Sequence, residues 1–250
     1  MAVWFTDRRG GVSEPPYAEL NLGLHVGDDP QAVMQNRQRL QEIVGDRPVV
    51  WMDQVHGRRV TVVDHAPDGA VPESDALITS VPDLVLAVLV ADCVPVLLRG
   101  PLEALGSAAA AASGEPGGGR HAREVIAAAH AGRRGLQLGV VEAVVSRMSS
   151  MGVQPKAIEA HLGPAVCGKC YEVPATMRDE VGVVAPAAIT TSRSGRPALD
   201  LRAGLVQQLH ALGVGRVHVD STCTLESPRH FSHRRDQRTG RSAGLIVIDG

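Results

Sequence analysis

The segment Leu84-Val85-Leu86-Ala87-Val88-Leu89-Val90-Ala91 constrains the fold more than any other part of the chain. This aliphatic run is far shorter than the roughly 20 residues a membrane-spanning helix needs. It has no polar face, so it does not fit a half-exposed strand or a surface helix. Leu84 to Val90 therefore reads as a strand covered on both faces, which requires a layer on either side of its sheet. The chain has 250 residues, 44% of them apolar and 21% charged. At this size roughly three quarters of the unfolded surface can be buried, and no staples are needed.

The remaining elements follow from punctuation and periodicity. Val3 to Thr6 reads as a strand, followed by the Gly/Pro-rich loop from Gly10 to Tyr17. Asp29-Pro30 reads as an N-cap with proline in the first helical position. That helix runs to about Val44, with Val33, Leu40, Ile43 and Val44 inward and Gly45 as its stop. Strands are expected at Val49 to Gln54, Arg59 to Val63, Ala76 to Thr79, Val94 to Leu98 and Val125 to Ala129. Later strands are expected near Ala157 to His161, Val217 to Asp220 and Leu245 to Ile248. Helices are expected from Leu136 to Met151, Pro174 to Val181 and Leu199 to Leu212. Strands and helices mix without strict alternation, which favours an α+β fold with a mixed sheet. Residues 101–121, rich in Ala and Gly, read as a low-complexity surface insertion within one domain spanning 1–250.

Composition removes several functions. The chain carries two Trp, two Tyr, two Phe and a net charge of -2, which excludes a base-stacking platform or a polybasic nucleic-acid face. All but two of the 25 basic residues (Lys156 and Lys169) are Arg, a set suited to forked binding of phosphate or carboxylate. The first ten residues mix acid and base where a signal peptide would be apolar, so no membrane association and a cytoplasmic location are expected. Cys93, Cys167, Cys170 and Cys223 then read as thiols, ligands or nucleophiles rather than disulfides.

Three stretches share one layout, an apolar strand ending in a reactive group. Trp51 to Gly57 ends in His56-Gly57, Val88 to Pro95 carries Asp92-Cys93, and Ala127 to Gly132 ends in His130-Ala131-Gly132. Two imidazoles and a thiolate would make a three-ligand zinc site with the fourth position open, the catalytic pattern. The same residues also allow a Cys93 nucleophile with His56 or His130 as base. Gly163 to Cys170 nearly fits a phosphate loop, but Cys170 stands where Ser or Thr should hold magnesium. Cys167-x-x-Cys170 could be half a zinc site or a redox pair. The sequence offers no second such pair, so a structural ribbon is not expected. The arginine-rich stretch Arg229 to Arg241 reads as a solvated loop or an anion clamp.

Taken together these motifs resemble the YfiH-like family, also called the laccase-domain or polyphenol oxidase family and described as purine nucleoside phosphorylase. The resemblance rests on Gln54-Val55-His56-Gly57, Ala91-Asp92-Cys93-Val94-Pro95, His130-Ala131-Gly132-x-Arg134-Gly135, Leu162-Gly163-Pro164 with Tyr171-Glu172-Val173, and Phe231-Ser232-x-Arg234-Arg235-Asp236 with Thr239-Gly240-Arg241. Phe5-Thr6-x-Arg8, Leu20-Asn21-Leu22-Gly23 and Asn36-Arg37 fit as well. It implies a four-layer α/β/β/α sandwich with mixed sheets. It also implies a zinc (or copper) site of His56, Cys93 and His130, which are the catalytic residues too. Substrate and phosphate binding would fall to Arg8, Asn21, Arg37, Gln54, Asp92, Arg134, Arg234 and Arg241. The implied activities are phosphorolysis of adenosine, inosine, guanosine and methylthioadenosine, and deamination of adenosine, by a monomer or dimer. Editing of peptidoglycan precursors by an amidase is the alternative, and a binding protein without turnover a third reading. Laccase chemistry ranks low, because the ten histidines include no His-x-His pair. This sequence departs from the family pattern at Arg133, where Trp is usual, and at His233, where Tyr is usual. The gap from Cys93 to His130 is also about twice the usual length, residues 101–121 making the excess.

Overall fold

The computed structural model describes residues 2–102 and 124–250. Strand β1 (Ala2–Phe5) precedes helix α1 (Pro30–Ile43), then β2 (Val49–Val50), β3 (Val60–Val62), β4 (Ala76–Thr79), β5 (Val85–Val90), β6 (Val94–Pro101) and β7 (Glu124–Ala131). Helices α2 (Arg133–Leu138) and α3 (Val140–Ser150) follow, then β8 (Glu159–Leu162), α4 (Ala175–Val184), β9 (Ile189–Thr191) and β10 (Pro197–Leu199). The chain closes with α5 (Leu201–Ala211), β11 (Arg216–Val219), α6 (His233–Asp236) and β12 (Ser242–Val247).

Two mixed sheets form the centre, with strand orders β1-β12-β5-β2 and β11-β8-β6-β7-β4-β3. The fully buried β5 explains the stacking. Leu86, Val88 and Val90 pack with Leu77, Leu97, Ile126 and Ala128 of the larger sheet. Val85, Ala87 and Leu89 pack on the opposite side with Leu40 and Val44 of the α1 segment. The outer face of the larger sheet, from Ala76 and Ile78 to Val96 and Ala129, packs against Leu136, Val144, Met148 and Leu205 of α2, α3 and α5. The order is α1, small sheet, large sheet, helices: the expected α+β four-layer arrangement. Each fully buried Leu or Ile in these layers is worth about 1.5–3 kcal/mol relative to exposure.

Most expected elements are present, with informative shifts. Asp29 caps α1 by accepting the Gln31 N–H at 2.9 Å. Ile43 is 67% exposed rather than inward, because the buried stripe runs through Val33, Asn36 and Leu40. Asn36 is satisfied there by bonds to Ser13, Glu19 and Asn21 and by the Val12 N–H. The expected helix from Leu136 to Met151 is two helices, broken at Gly139 with φ +76° and begun three residues early at Arg133. The strand expected from Val49 to Gln54 pairs with β5 only at Val49 and Val50. The β9–β10 hairpin was not anticipated. Pro101 ends β6 and Leu102 bridges Val153, so the sheet extends into the expected insertion 101–121. The rest of that stretch lies outside the described residues. Among the described residues no helix is long and apolar enough to cross a membrane.

Candidate metal centre

Three separate chain turns deliver His56, Cys93 and His130 to one end of the sandwich. His56 follows β2 in a loop where its φ is +59°. Cys93 ends the short connection by which the chain passes from β5 in the small sheet to β6 in the large one. His130 lies near the end of β7, opposite Pro95 of β6. One ligand atom from each of the three lies within 4.8 Å of the others. The two imidazole rings meet edge to face, with centroids 4.6 Å apart. His130 is buried, Cys93 half-buried and His56 exposed, so the cluster is dry on one side and open on the other.

Asp75 organises this cluster. Its side chain is fully buried immediately before β4. Oδ1 accepts the His56 N–H at 3.0 Å and pairs with His130 Nδ1 at 2.9 Å. Oδ2 accepts the N–H groups of Val55 at 3.2 Å and Gly57 at 2.6 Å. One carboxylate thereby shapes the His56 loop and commits His130 Nδ1, leaving Nε2 as that ring's ligand atom. Such outer carboxylates fix tautomer and ring direction in metal sites. Gly132 completes the wall: a Cβ there would lie 2.9 Å from Cys93 Sγ and 3.3 Å from His56 Cδ2.

Without a metal ion, Cys93 and His130 stabilise each other's charge, so an arriving ion would displace the Nε2 proton of His130. Burial pushes the Cys93 thiol up, but the His130 charge and hydrogen bonds from both histidines prevail and bring it down to about 6. Burial pulls His130 down, yet the Cys93 thiolate and Asp75 raise it to about 9. Two nitrogens and one thiolate suit zinc or copper, with the exposed side as an open coordination position.

The residues expected to bind substrate sort into two groups. Asp92, at φ +84°, joins three loops: Oδ1 accepts the Thr224 hydroxyl at 2.7 Å, Oδ2 the Arg234 N–H at 2.7 Å, and its carbonyl the Val166 N–H at 3.1 Å. Arg234 also donates to the Glu172 carbonyl at 2.9 Å and lies over the Tyr171 ring. Arg241 is half-buried, and its charge interacts with Cys93 and Asp92. Arg37 stacks 4.0 Å over Trp51 and, though burial lowers it to about 10, stays cationic at neutral pH.

In the second group, Asn21, Gln54 and Arg8 are held by fold contacts. Asn21 is fully buried and accepts the N–H groups of Gly23 and Arg241. Gln54 spends both ends of its amide on the Leu89 backbone, each at 2.8 Å. Arg8 donates to the Ala18 carbonyl at 2.6 Å and lies over Phe231. Arg134 is exposed near the start of α2.

Sequence reasoning missed several residues. Asp75 carries no local signal beyond preceding an apolar strand. Burial, and next the Cys93 charge, push the Tyr171 phenol up, and Arg133, Arg234 and Asp92 also act on it. His25 interacts with Arg241, Asp53, Arg37 and His130. Arg133 donates to Gln137 Oε1 at 2.6 Å on its own helix, with its charge acting on Tyr171.

The chain matches the family model described as multi-copper polyphenol oxidoreductase laccase over residues 2–118 and 119–249. It belongs to this family. A Streptomyces coelicolor protein named purine nucleoside phosphorylase is 51% identical over 98% of this chain and 94% of its own length. The purine nucleoside phosphorylase YfiH of Shigella flexneri is 37% identical, over 99% of this chain and 94% of its own. Among solved structures, YlmD from Geobacillus stearothermophilus is similar with a TM-score of 0.83 at 31% identity, covering 100% of this chain and 92% of that one.

Proposed function

We propose that this chain is a zinc-dependent purine nucleoside phosphorylase acting on adenosine, inosine, guanosine and methylthioadenosine, and that the same centre deaminates adenosine. The observation that carries the reading is the convergence of His56, Cys93 and His130 around an Asp75-fixed imidazole, in a chain 51% identical to a relative bearing that name. Zinc held by these three residues would supply Lewis acidity at the open position.

The protein's own groups account for the rest. Phosphorolysis joins a phosphate oxygen to the ribose carbon while the carbon–nitrogen bond to the base breaks, the base leaving with the electron pair. Arg234, Arg241, Arg37 and Arg133 would hold phosphate and keep it beside a carbon that gains positive charge. Tyr171, its phenol pushed up, keeps its proton and can donate a hydrogen bond. Asp92 carries no substrate in this scheme; it fixes the backbone of Arg234 and the Thr224 loop. The reading makes phosphate and small nucleosides the partners, in the cytoplasm, and gives no role to nucleic acid.

The test incubates metal-replete protein with adenosine and phosphate and separates the products. Adenine with ribose 1-phosphate supports phosphorolysis, and inosine or hypoxanthine supports deamination. Neither appearing above a Cys93→Ala control refutes the proposal. The thiolate–imidazolium pair favours, as a second reading, a Cys93 nucleophile in amide hydrolysis. Release of serine from a muropeptide precursor by chelator-treated protein would support that instead.

A further inference from the structure

Outside the His/Cys/His centre, the remaining three cysteines also come together. Cys167 and Cys170 lie in the loop after β8, and Cys223 lies far along the chain, after β11. One ligand atom from each of Cys167, Cys170, Cys223 and Glu226 lies within 4.8 Å of all the others. The three cysteines are free thiols rather than a disulfide. The sequence showed half of a thiolate site, and the fold supplies its other half from a distant loop.

We propose that Cys167, Cys170 and Cys223, with Glu226 or water as the fourth donor, form a second, structural metal site for zinc or a similar thiophilic divalent ion. Tetrahedral zinc with ligand bonds of about 2.3 Å places sulfurs about 3.8 Å apart, which this cluster can adopt. Cys-x-x-Cys is the spacing of a zinc knuckle, and the turn is already formed: the N–H groups of Cys170 and Tyr171 both donate to the Cys167 carbonyl, at 2.9 and 3.0 Å. The Cys167 N–H donates to Cys223 Sγ at 3.4 Å, a bond that stabilises a thiolate ligand. Arg193 pairs with Glu226, placing a compensating positive charge beside an anionic ligand set.

The site would act as a staple. Ala165 forms a β-bridge with Cys223, and Thr224 donates its N–H to the Ala165 carbonyl at 3.1 Å, so the two loops already touch. Tyr171 directly follows Cys170, and Thr224, which holds Asp92, directly follows Cys223. Crosslinking the loops through metal would fix both residues beside the first centre.

The experiment adds cobalt(II) alone, under reducing conditions, to a His56→Ala/His130→Ala variant that lacks the first centre. Expected is one bound equivalent with intense sulfur-to-cobalt charge-transfer absorption and tetrahedral visible bands, both abolished by the further change Cys223→Ser. If the variants do not fold, wild-type protein is compared with Cys223→Ser; loss of one of two bound equivalents and of most of the charge-transfer absorption supports the site, and an unchanged stoichiometry and spectrum overturn it. Absence of a thiolate–cobalt band overturns it. Mass spectrometry showing a disulfide among Cys167, Cys170 and Cys223 in freshly isolated protein also overturns it.

Discussion

Replacing Asp75 by Asn removes a charge while preserving shape, and the geometry fixes what must follow. Each carboxylate oxygen faces two donors: Oδ1 meets the His56 N–H and His130 Nδ1, and Oδ2 meets the N–H groups of Val55 and Gly57. An amide presents one oxygen and one NH2, so in either orientation two donors meet a third. If the NH2 faces Val55 and Gly57, two part-buried N–H groups lose their acceptor. If it faces His130, the ring must turn its lone pair to Nδ1 and place its proton on Nε2, which removes the ligand atom. At about 1–2 kcal/mol per orphaned part-buried group, Asp75→Asn should cost about 2–4 kcal/mol of stability. Loss of a histidine's outer carboxylate should also weaken metal binding by about 10–100-fold. Urea unfolding of chelator-treated protein measures the first quantity, and competition with a chromophoric chelator the second. A stability change below about 1 kcal/mol with metal affinity within roughly twofold of wild type would refute the reasoning.

Further outcomes follow from the same geometry. Gly132→Ala puts a Cβ 2.9 Å from Cys93 Sγ; the displaced thiolate should cost roughly 100-fold in phosphorolysis with little change in circular dichroism, and near-wild-type turnover would contradict the close approach. In metal-free protein, Cys93 should be alkylated by iodoacetamide at a rate that rises through pH about 6, as the thiol ionises beside His130. His130→Ala should move that rise upward, since the charge that lowers the thiol is gone; an unchanged profile would show that His130 does not act on the thiol.

Elements defined by local signals could be read from the sequence. Asp29-Pro30 marked the start of α1, and the apolar β4 and β5 were placed within a residue because burial on both faces leaves an unbroken pattern. Gly139 was legible as a residue but not as a break, since the apolar periodicity continues through it into α3. His56, Cys93 and His130 stood out because each ends an apolar strand beside a special turn. Asp75 did not, because its role is created by pairing β4 with β7, which brings the Asp75 carbonyl to the His130 N–H at 2.8 Å. Cys223 was invisible as a partner of Cys167 and Cys170 for the same reason: the loops meet only through the parallel pairing of β8 with β11.

The small sheet ends in a side chain rather than a strand. Beyond Val50 the chain leaves β5, and the Gln54 amide takes over, offering Leu89 one donor and one acceptor as a backbone would. An open strand edge invites pairing with another molecule, and a mimic that fills it blocks recruitment without adding a strand. Because Gln54 is two residues from His56, the plug that closes this border also anchors the loop bearing the centre's exposed imidazole. Protection from aggregation and assembly of the reactive site therefore depend on the same few residues, and damage to one should be felt by the other.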